Sequence, residues 1–229
     1  MEGLNELALF AGAGGGILGG KLLGWRTVCA VEIDTYCRRV LCDRQDDGTF
    51  EAFPIWDDIK TFNGRPWKGR IDVISGGFPC QPYSSAARGH HTAKCLWNEM
   101  RRIIEEIRPR FVFAENVTKT AIERAGRQLC EMGYQCKATQ LSAADVGADH
   151  IRERFWLLGN ANNKEQSMQL FNDEMARVPQ LQTTIWASGA SLPGMVDGVA
   201  HRLLRIKAIG NGQVPAVVAA AWRILSVDL

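Results

Sequence analysis

The stretch that decides the fold class is Leu7-Ala8-Leu9-Phe10-Ala11-Gly12-Ala13-Gly14-Gly15-Gly16. Its first four residues form a short apolar run, which is typical of a buried strand. The glycines that follow tolerate backbone conformations that other residues avoid, so they predict a tight turn. Residues 17–23 then have helical character and end at Gly24. A strand, a glycine loop and a helix in this order favour nucleotide binding by an α/β unit, because the helix N-terminus offers free N–H groups.

This alternation continues through the first 159 residues. Short apolar, β-branched segments alternate with segments that carry apolar residues at helical spacing. Such an order predicts βαβ units, and hence an α/β fold with a doubly wound, mainly parallel sheet. Strands are predicted at residues 7–10, 27–32, 71–74, 111–114, 134–140 and 154–158, and helices at 17–23, 36–41, 96–107, 121–132 and 214–225.

Composition excludes several classes of protein. The 229 residues are 46% hydrophobic and 23% charged, which is typical of a globular chain and not of a disordered one. A net charge of +2 excludes binding to nucleic acid through bulk positive charge alone. Apolar stretches such as residues 214–222 fall short of the roughly 20 residues that a membrane helix needs.

The seven cysteines form no CxxC pair, so reduced thiols are favoured over a disulfide framework or a zinc cluster. Residues 1–6 lack the basic flank of a signal peptide, and no targeting segment is expected. We therefore expect a cytoplasmic protein that binds neither a metal ion nor a membrane.

Glu32 lies at the end of the second predicted strand, close to the glycine loop in an α/β unit. A carboxylate at this position commonly accepts the two hydroxyl groups of an adenosine ribose. However, Gly14, Gly16 and Gly19 also have GxGxxG spacing, which leaves a nicotinamide site open.

Three further groups of residues indicate chemistry. Cys80 follows a strand on a turn rich in glycine and proline, where a thiolate is placed like a nucleophile. Glu115 and Asn116 end the next strand and face the same edge of the sheet, so the carboxyl group is a candidate general acid. Arg152 and Arg154 begin a strand and suit contact with a phosphate or a base edge. Taken singly, each group also has a structural interpretation: a buried thiol, a helix cap or a solvated charge pair.

Together these residues resemble the motifs of the cytosine-C5 DNA methyltransferase family. The combination is specific because the motifs occur in the family's order, over about residues 7–159 and 186–225. The matching segments are residues 10–15, Glu32, Asp58-Ile59, residues 77–81, Glu115-Asn116-Val117, residues 150–154 and residues 210–215.

The resemblance implies methyl transfer from S-adenosylmethionine (SAM) to carbon 5 of a cytosine in double-stranded DNA. It implies that Cys80 adds to carbon 6 of a flipped-out base, while Glu115 hydrogen-bonds or protonates ring nitrogen 3. Asn116 would support Glu115 or the Cys80 loop, and Arg152 and Arg154 would hold the cytosine O2 and the neighbouring backbone.

The resemblance also implies binding residues. SAM contacts are expected from Phe10, Gly12, Ala13, Gly14, Gly15, Glu32, Ile33, Asp58, Ile59, Pro79, Leu96, Asn211 and Gly212. DNA contacts are expected from Gln81, Ser84, Arg88 and Lys94, in a mobile loop that closes over the base. Further phosphate contacts are expected from Arg101, Arg102, Arg202, Arg205 and Lys207.

Three departures from the family pattern affect these expectations. His150 replaces a glutamine that is usual in the family, and Gln213 replaces a small apolar residue. The region for target recognition is short. We predict a catalytic domain of residues 1–159 and 205–229 and a recognition region of residues 160–204, with short or relaxed sequence specificity. We expect a monomer, while a partner subunit for recognition and a phage or restriction-system origin stay open.

Three alternative functions remain. The same chemistry on RNA, as in the tRNA branch of the family, is the first. A nicotinamide oxidoreductase is the second, but it leaves Cys80 and Glu115 unexplained. The third is a DNA-binding protein of the same fold without turnover, which the presence of both residues disfavours.

Overall fold

The computed structural model describes residues 3–79, 95–161, 168–170, 208, 210 and 212–227. The strands are β1 (Asn5–Leu9), β2 (Arg26–Val31), β3 (Ile55–Trp56), β4 (Val73–Gly77), β5 (Phe111–Asn116), β6 (Gln135–Leu141), β7 (Arg154–Asn160) and β8 (Met168–Leu170). The helices are α1 (Gly15–Leu22), α2 (Thr35–Asp46), α3 (Trp97–Ile107), α4 (Lys119–Glu131) and α5 (Pro215–Leu225).

The strands form one sheet in the order β3-β2-β1-β4-β5-β7-β6-β8. Strand β7 runs antiparallel to both of its neighbours, β5 and β6, and the other pairs are parallel. The predicted α/β fold with a mainly parallel, doubly wound sheet is therefore confirmed. The chain leaves β1 towards β2 on one side and reaches β4 on the other, so the carboxyl ends of β1 and β4 flank the point where such folds bind ligands.

Hydrophobic cores lie on both faces of the sheet because successive residues of a strand point to opposite faces. Leu7 and Leu9 of β1 pack in a core with Trp97 and Ile103 of α3. Ala8, between them, belongs to a core on the opposite face with residues of α1 and α2. None of the helices in the described ranges is long and apolar enough to cross a membrane.

Helix α5 packs directly on α1. A Cβ atom on Gly19 would lie 2.5 Å from the Cβ atom of Val218, so the helices approach as closely as they do because this residue has no side chain. Trp222 makes an edge contact with Trp25 at 4.7 Å between ring centroids and another with Phe113 at 5.5 Å. The end of the chain is thereby fixed on the same unit as the glycine loop.

Two strands lie outside the predicted set. Strand β3 has only two residues, which is too short for a periodic pattern, and its residues pair with the end of β2. Strand β8 pairs in parallel with β6, although it belongs to the segment where we expected a recognition region. The boundaries of that region remain a prediction.

Glu6, on β1 at the centre of the sheet, is an ionisable residue with no exposed surface. Its carboxyl oxygens accept hydrogen bonds from Ser75 Oγ at 2.5 Å and Thr27 Oγ1 at 2.6 Å. Burial raises the pKa of Glu6 to about 7, against the opposing effect of these two hydrogen bonds. The neutral acid is therefore the form that the folded protein prefers.

Because the pKa of Glu6 is raised in the folded protein, we expect the free energy of unfolding to fall as the pH rises. Between about pH 4.5 and 7 the folded protein binds a proton at Glu6 that the unfolded chain releases. The stabilisation is complete below that range and is lost as the pH rises through the folded-state pKa. In urea unfolding, the free energy of unfolding of the parent protein is expected to fall, as the pH rises across this range, by about 3 kcal/mol more than that of Glu6→Gln. Glu51→Gln, at an exposed position, serves as the control, and parallel curves for Glu6→Gln and the parent would contradict the prediction.

Candidate active site

The glycine loop adopts the backbone conformations that its sequence allows. Gly12 and Gly14 have positive φ angles of 54° and 89°, and Phe10, with φ 53°, shares this unusual conformation. A side chain on Gly14 would also meet Phe50 and Leu41 at 2.8–3.0 Å, whereas one on Gly12 would meet nothing within 4 Å. Gly14 precedes α1 without a side-chain cap, so the first turn of the helix presents backbone N–H groups at the end of β1.

Glu32 holds this loop against the end of β2. Its Oε2 accepts a hydrogen bond from the Gly12 N–H at 2.7 Å, and its Oε1 accepts one from the Asp34 N–H at 2.8 Å. Each carboxylate oxygen can accept a further hydrogen bond, so two positions for ligand hydroxyl groups remain. Ile33 beside it is 70% exposed, which is unusual for a large apolar side chain.

The Asp58-Ile59 pair follows β3. Asp58 is half-buried, and its Oδ1 accepts the Lys60 N–H at 2.9 Å. The Ile59 side chain packs in the core, while its carbonyl oxygen accepts a hydrogen bond from Arg102 Nη2 at 2.8 Å. The structure brings this turn next to Glu32 through a hydrogen bond from the Glu32 N–H to the Trp56 carbonyl.

The end of β4 is fixed by two hydrogen bonds. Asn116 Nδ2 donates to the Phe78 carbonyl oxygen at 2.7 Å, and the Leu96 N–H donates to the Pro79 carbonyl oxygen at 2.9 Å. Pro79 and Leu96, which lie on either side of the segment that contains Cys80, are therefore joined by a backbone hydrogen bond. The predicted nucleophile Cys80, the DNA-binding candidates Gln81, Ser84, Arg88 and Lys94, and the SAM-binding candidate Asn211 lie outside the described residues.

Glu115 is the centre of the described site. It is 7% exposed and pairs in the sheet with Gly77 at the end of β4. Its Oε1 lies 3.0 Å from Arg154 Nε, and its Oε2 accepts a hydrogen bond from Gln213 Nε2 at 3.3 Å. Burial raises the pKa of Glu115, although the Gln213 hydrogen bond and the charges of Arg154 and Arg152 act in the opposite direction.

Arg152 lies beside Glu115, but its hydrogen bonds go to the chain itself. Its Nη2 donates to the carbonyl oxygens of Gly210 at 2.7 Å and Gly212 at 2.8 Å. Burial and the charge of Arg154 lower the pKa of Arg152. In this structure Arg152 therefore anchors the last motif, and its expected contact with the cytosine or the DNA backbone remains a prediction.

A small cavity lies over these groups. It is lined by Glu115, Arg152, Arg154, Trp156, Gly212, Gln213, Val214 and Val217. Trp156 stacks on Phe113 at 5.3 Å, and its indole N–H is the buried side-chain donor that finds no partner among the described residues. A ligand with an acceptor atom would satisfy such a donor. Within the described ranges, no group of three or more His, Cys, Asp or Glu residues is arranged to hold a metal ion.

Two residues make contacts that were not expected from the sequence. The guanidinium group of Arg102 binds Glu99, Glu106 and the carbonyl oxygens of Phe62 and Ile59, and its phosphate contact remains a prediction. The spacing of Glu99 and Glu106 around it on one helix is the signal that predicts this pairing. Gln213, which replaces a small apolar residue of the family pattern, contacts Glu115. The feature of the sequence that could have indicated this contact is the amide of Gln213, which stands at the otherwise apolar end of the motif at residues 210–215.

Asn116 provides a test of the site's architecture. Besides holding Phe78, its Oδ1 accepts hydrogen bonds from the N–H and the hydroxyl group of Thr118. Asn116→Ala leaves the buried Phe78 carbonyl oxygen and the half-buried groups of Thr118 without these partners, and we expect it to lower the free energy of unfolding by about 1–3 kcal/mol. Asn98→Ala, at an exposed position on α3, is expected to change it by less than about 0.5 kcal/mol. Equal urea midpoints for the two variants would contradict this role of Asn116.

The chain was compared with known proteins. It matches the C-5 cytosine-specific DNA methylase family over residues 4–203. It is 38% identical over 163 residues to the type II methyltransferase M.PspPI of Psychrobacter sp. (strain TA137), a match that covers 66% of this chain and 38% of that protein. It is 29% identical over 179 residues to the type II methyltransferase M1.HphI of Haemophilus parahaemolyticus, covering 71% and 47%. The matched region thus spans less than half the length of either relative.

Solved structures agree with the fold. The chain resembles a protein assigned as a DNA modification methyltransferase encoded within a prophage of Escherichia coli, with a TM-score of 0.55, 27% identity and coverage of 69% of this chain and 46% of the other. It also shares the fold of the Dnmt2 methyltransferase of S. pombe, with a TM-score of 0.54, 20% identity and coverage of 72% and 51%. From the motifs, the sheet and the length of the family match, the chain belongs to the C-5 cytosine-specific DNA methylase family.

Proposed function

We propose that the chain is a DNA cytosine-5 methyltransferase, which transfers a methyl group from SAM to carbon 5 of a cytosine in double-stranded DNA. The position of Glu115 carries the proposal. It is a buried carboxyl group beside two guanidinium groups, and its sheet partner Gly77 lies three residues before Cys80. An acid and a nucleophile at neighbouring strand ends are what this reaction requires.

The described residues fit SAM. The amino end of α1 and the open space at Gly12 suit a ligand that approaches the backbone. The remaining acceptor positions of Glu32 suit the two ribose hydroxyl groups, and the exposed side chain of Ile33 suits the face of an adenine ring. When bound, SAM supplies an electrophilic methyl group.

Cys80 would make carbon 5 of cytosine reactive. This carbon is a poor nucleophile until the Cys80 thiolate adds to carbon 6 and moves electron density onto it. After carbon 5 has taken the methyl group, its proton passes to a water molecule acting as base, the C5=C6 double bond re-forms, and Cys80 leaves carbon 6 as the thiolate, ready for the next cycle. Because Asn116 fixes the Phe78 carbonyl two residues earlier, the segment carrying Cys80 starts from a defined position.

Glu115 would stabilise the charge that develops on the ring when the thiolate adds. Burial favours its neutral form, which can donate a proton to ring nitrogen 3. Arg154, on the other oxygen of the same carboxyl group, would stabilise the anion left after proton donation. The indole N–H of Trp156, for which the described part of the chain supplies no acceptor, is a candidate donor to the base in the same cavity.

The base must leave the duplex to reach Cys80 and Glu115, at a cost of about a few kcal/mol. Because the segment between the arginine motif and the last motif is short, and reading base edges takes several positioned side chains, we propose that the sequence specificity is short or relaxed. Residues that read base edges would then come from the segment 160–204 or from a partner subunit.

Glu32 gives a test of cofactor binding that is separate from catalysis. Glu32→Ala removes the acceptor of the ribose hydroxyl groups and the anchor of the Gly12 N–H. We expect SAM affinity to fall by about 10- to 100-fold in isothermal titration calorimetry, as the loss of one or two hydrogen bonds to a charged group predicts. Glu51→Gln, at an exposed carboxylate, is expected to leave it unchanged. A Glu32→Ala variant with the parent's affinity would contradict the assigned site.

The reaction itself is tested in a bacterial host that lacks cytosine methylation. Base-resolution sequencing of its DNA is expected to show 5-methylcytosine when the parent chain is expressed and none with Cys80→Ser. Glu115→Gln is expected to lower the rate by about 10²- to 10⁴-fold, which is typical of the loss of a general acid. Cys42→Ser replaces an exposed cysteine of α2 and should retain full methylation.

A duplex that contains 5-fluorocytosine tests the covalent step. Fluorine cannot leave as the proton does, so the adduct with Cys80 should persist and appear as a band of higher mass on a denaturing gel. Methylation of tRNA instead of the duplex would favour the RNA alternative. Soluble chain that binds SAM and methylates neither substrate would contradict the proposed activity.

A further inference from the structure

Gln213 lies between two parts of the site that are far apart in sequence. Its amide Nε2 donates to Glu115 Oε2, from a position 98 residues later in the chain. Its amide Oε1 occupies the place where a side chain on Gly16 would stand, and its backbone carbonyl oxygen occupies that place on Gly15. One residue therefore contacts both the first turn of α1 and the predicted proton donor.

The surroundings leave this side chain little freedom. A Cβ atom on Gly77 would lie 2.5 Å from Glu115 Oε2 and 3.2 Å from Gln213 Nε2, so the end of β4 closes over the pair. The preceding residue, Gly212, is held by the hydrogen bond from Arg152 to its carbonyl oxygen. The following residues lead into α5, which packs on α1 through Gly19 and Val218.

We propose that Gln213 is a positioning residue that fixes the carboxyl group of Glu115 relative to the cofactor-binding end of α1. The inference rests on the proposed function of Glu115 as a proton donor to the base. With Arg154 on Oε1 and Gln213 on Oε2, both oxygens of the carboxyl group are held, which fixes the plane in which it can meet the ring.

An amide is suited to this task because it carries both a donor and an acceptor. Its N–H group donates to the carboxylate that Glu115 becomes after giving its proton to the ring, while its oxygen stays on the side of Gly16. An apolar side chain at this position offers no such hydrogen bond. A glutamate would place a second carboxyl group beside Glu115. Gln213 is thus matched to a carboxyl group that gains and loses a proton in each cycle.

The charged groups that face Glu115 in the described structure are Arg154 of β7 and Arg152 just before it, and both favour the ionised form. The Gln213 hydrogen bond acts in the same direction, against burial. Without it the carboxyl group should keep its proton to higher pH. Gln213→Met retains the length and packing of the side chain but removes the amide, so it separates hydrogen bonding from shape.

The experiment uses the full chain labelled with ¹³C at the glutamate carboxyl carbons, with the Glu115 signal assigned by its absence in Glu115→Gln. In an NMR titration of the SAM-free protein, Gln213→Met is expected to raise the midpoint of Glu115 by about half to one pH unit. The matched control is Gln140→Met, which removes an exposed hydrogen bond of the same kind to Glu153 at 2.9 Å. An unchanged midpoint in Gln213→Met, or an equal change in the control, would overturn the proposal.

Enzyme kinetics provide the second readout. In Gln213→Met, kcat is expected to change while KM for SAM stays within about two-fold. In the plot of kcat against pH, the alkaline limb should move to higher pH by the same half to one unit as the Glu115 midpoint in the titration. A proportional loss of kcat and SAM affinity, with no movement of the limb, would indicate a purely structural role and overturn the proposal. If the parent chain methylates no cytosine, the proposed function fails, whereas the titration still decides the role of Gln213.

Discussion

The site depends on the close approach of the last motif to α1, which is possible because three of the four glycines of this helix face that motif and α5. Gly15 and Gly16 leave room for the backbone and the amide group of Gln213, and Gly19 leaves room for Val218 of α5. A larger residue at Gly15 or Gly19 would push the C-terminal segment away from α1, because the atoms in its way belong to the backbone of Gln213 or to the packed helix α5. A larger residue at Gly16 would displace the amide of Gln213. The spacing of these glycines resembles that of a phosphate-binding loop, but they also allow α1 to pack closely against the C-terminal segment.

The balance of charge in the cavity follows from this packing. A single buried carboxylate among apolar groups would be costly, and burial does favour the neutral form of Glu115. Arg154, Arg152 and the amide of Gln213 favour the ionised form, but the pKa of Glu115 is still raised. Arg152 adds its charge from a distance while its hydrogen bonds hold the backbone around Gly210 and Gly212. The same arginine therefore supports the electrostatics of the site and the position of Gln213.

Local patterns predicted much of the fold. The run from β1 through the glycine loop to α1 is contiguous, and its apolar residues, glycines and helix occur in an order that few structures accommodate. Because β4 and β5 are parallel neighbours, residues after their carboxyl ends had to meet, and Glu115 and Gly77 do pair. Strand β3 was missed because two residues carry no period, and β8 because its pairing with β6 depends on edge contacts distant in sequence. The contact of Gln213 with Glu115 is of the same long-range kind.

The contacts of the arginines bear on the DNA binding that we propose. With a net charge of +2, affinity for a polyanion must come from local groups, since long-range attraction is weak and screened. Arg102 is occupied by two carboxylates and two carbonyl oxygens, Arg152 by two carbonyl oxygens, and Arg154 by Glu115. Cations that build the site are largely withdrawn from phosphate binding. In the function that we propose, phosphate contacts would therefore come from other residues of the chain or from a partner, and the groups around Glu115 would be left to position the base.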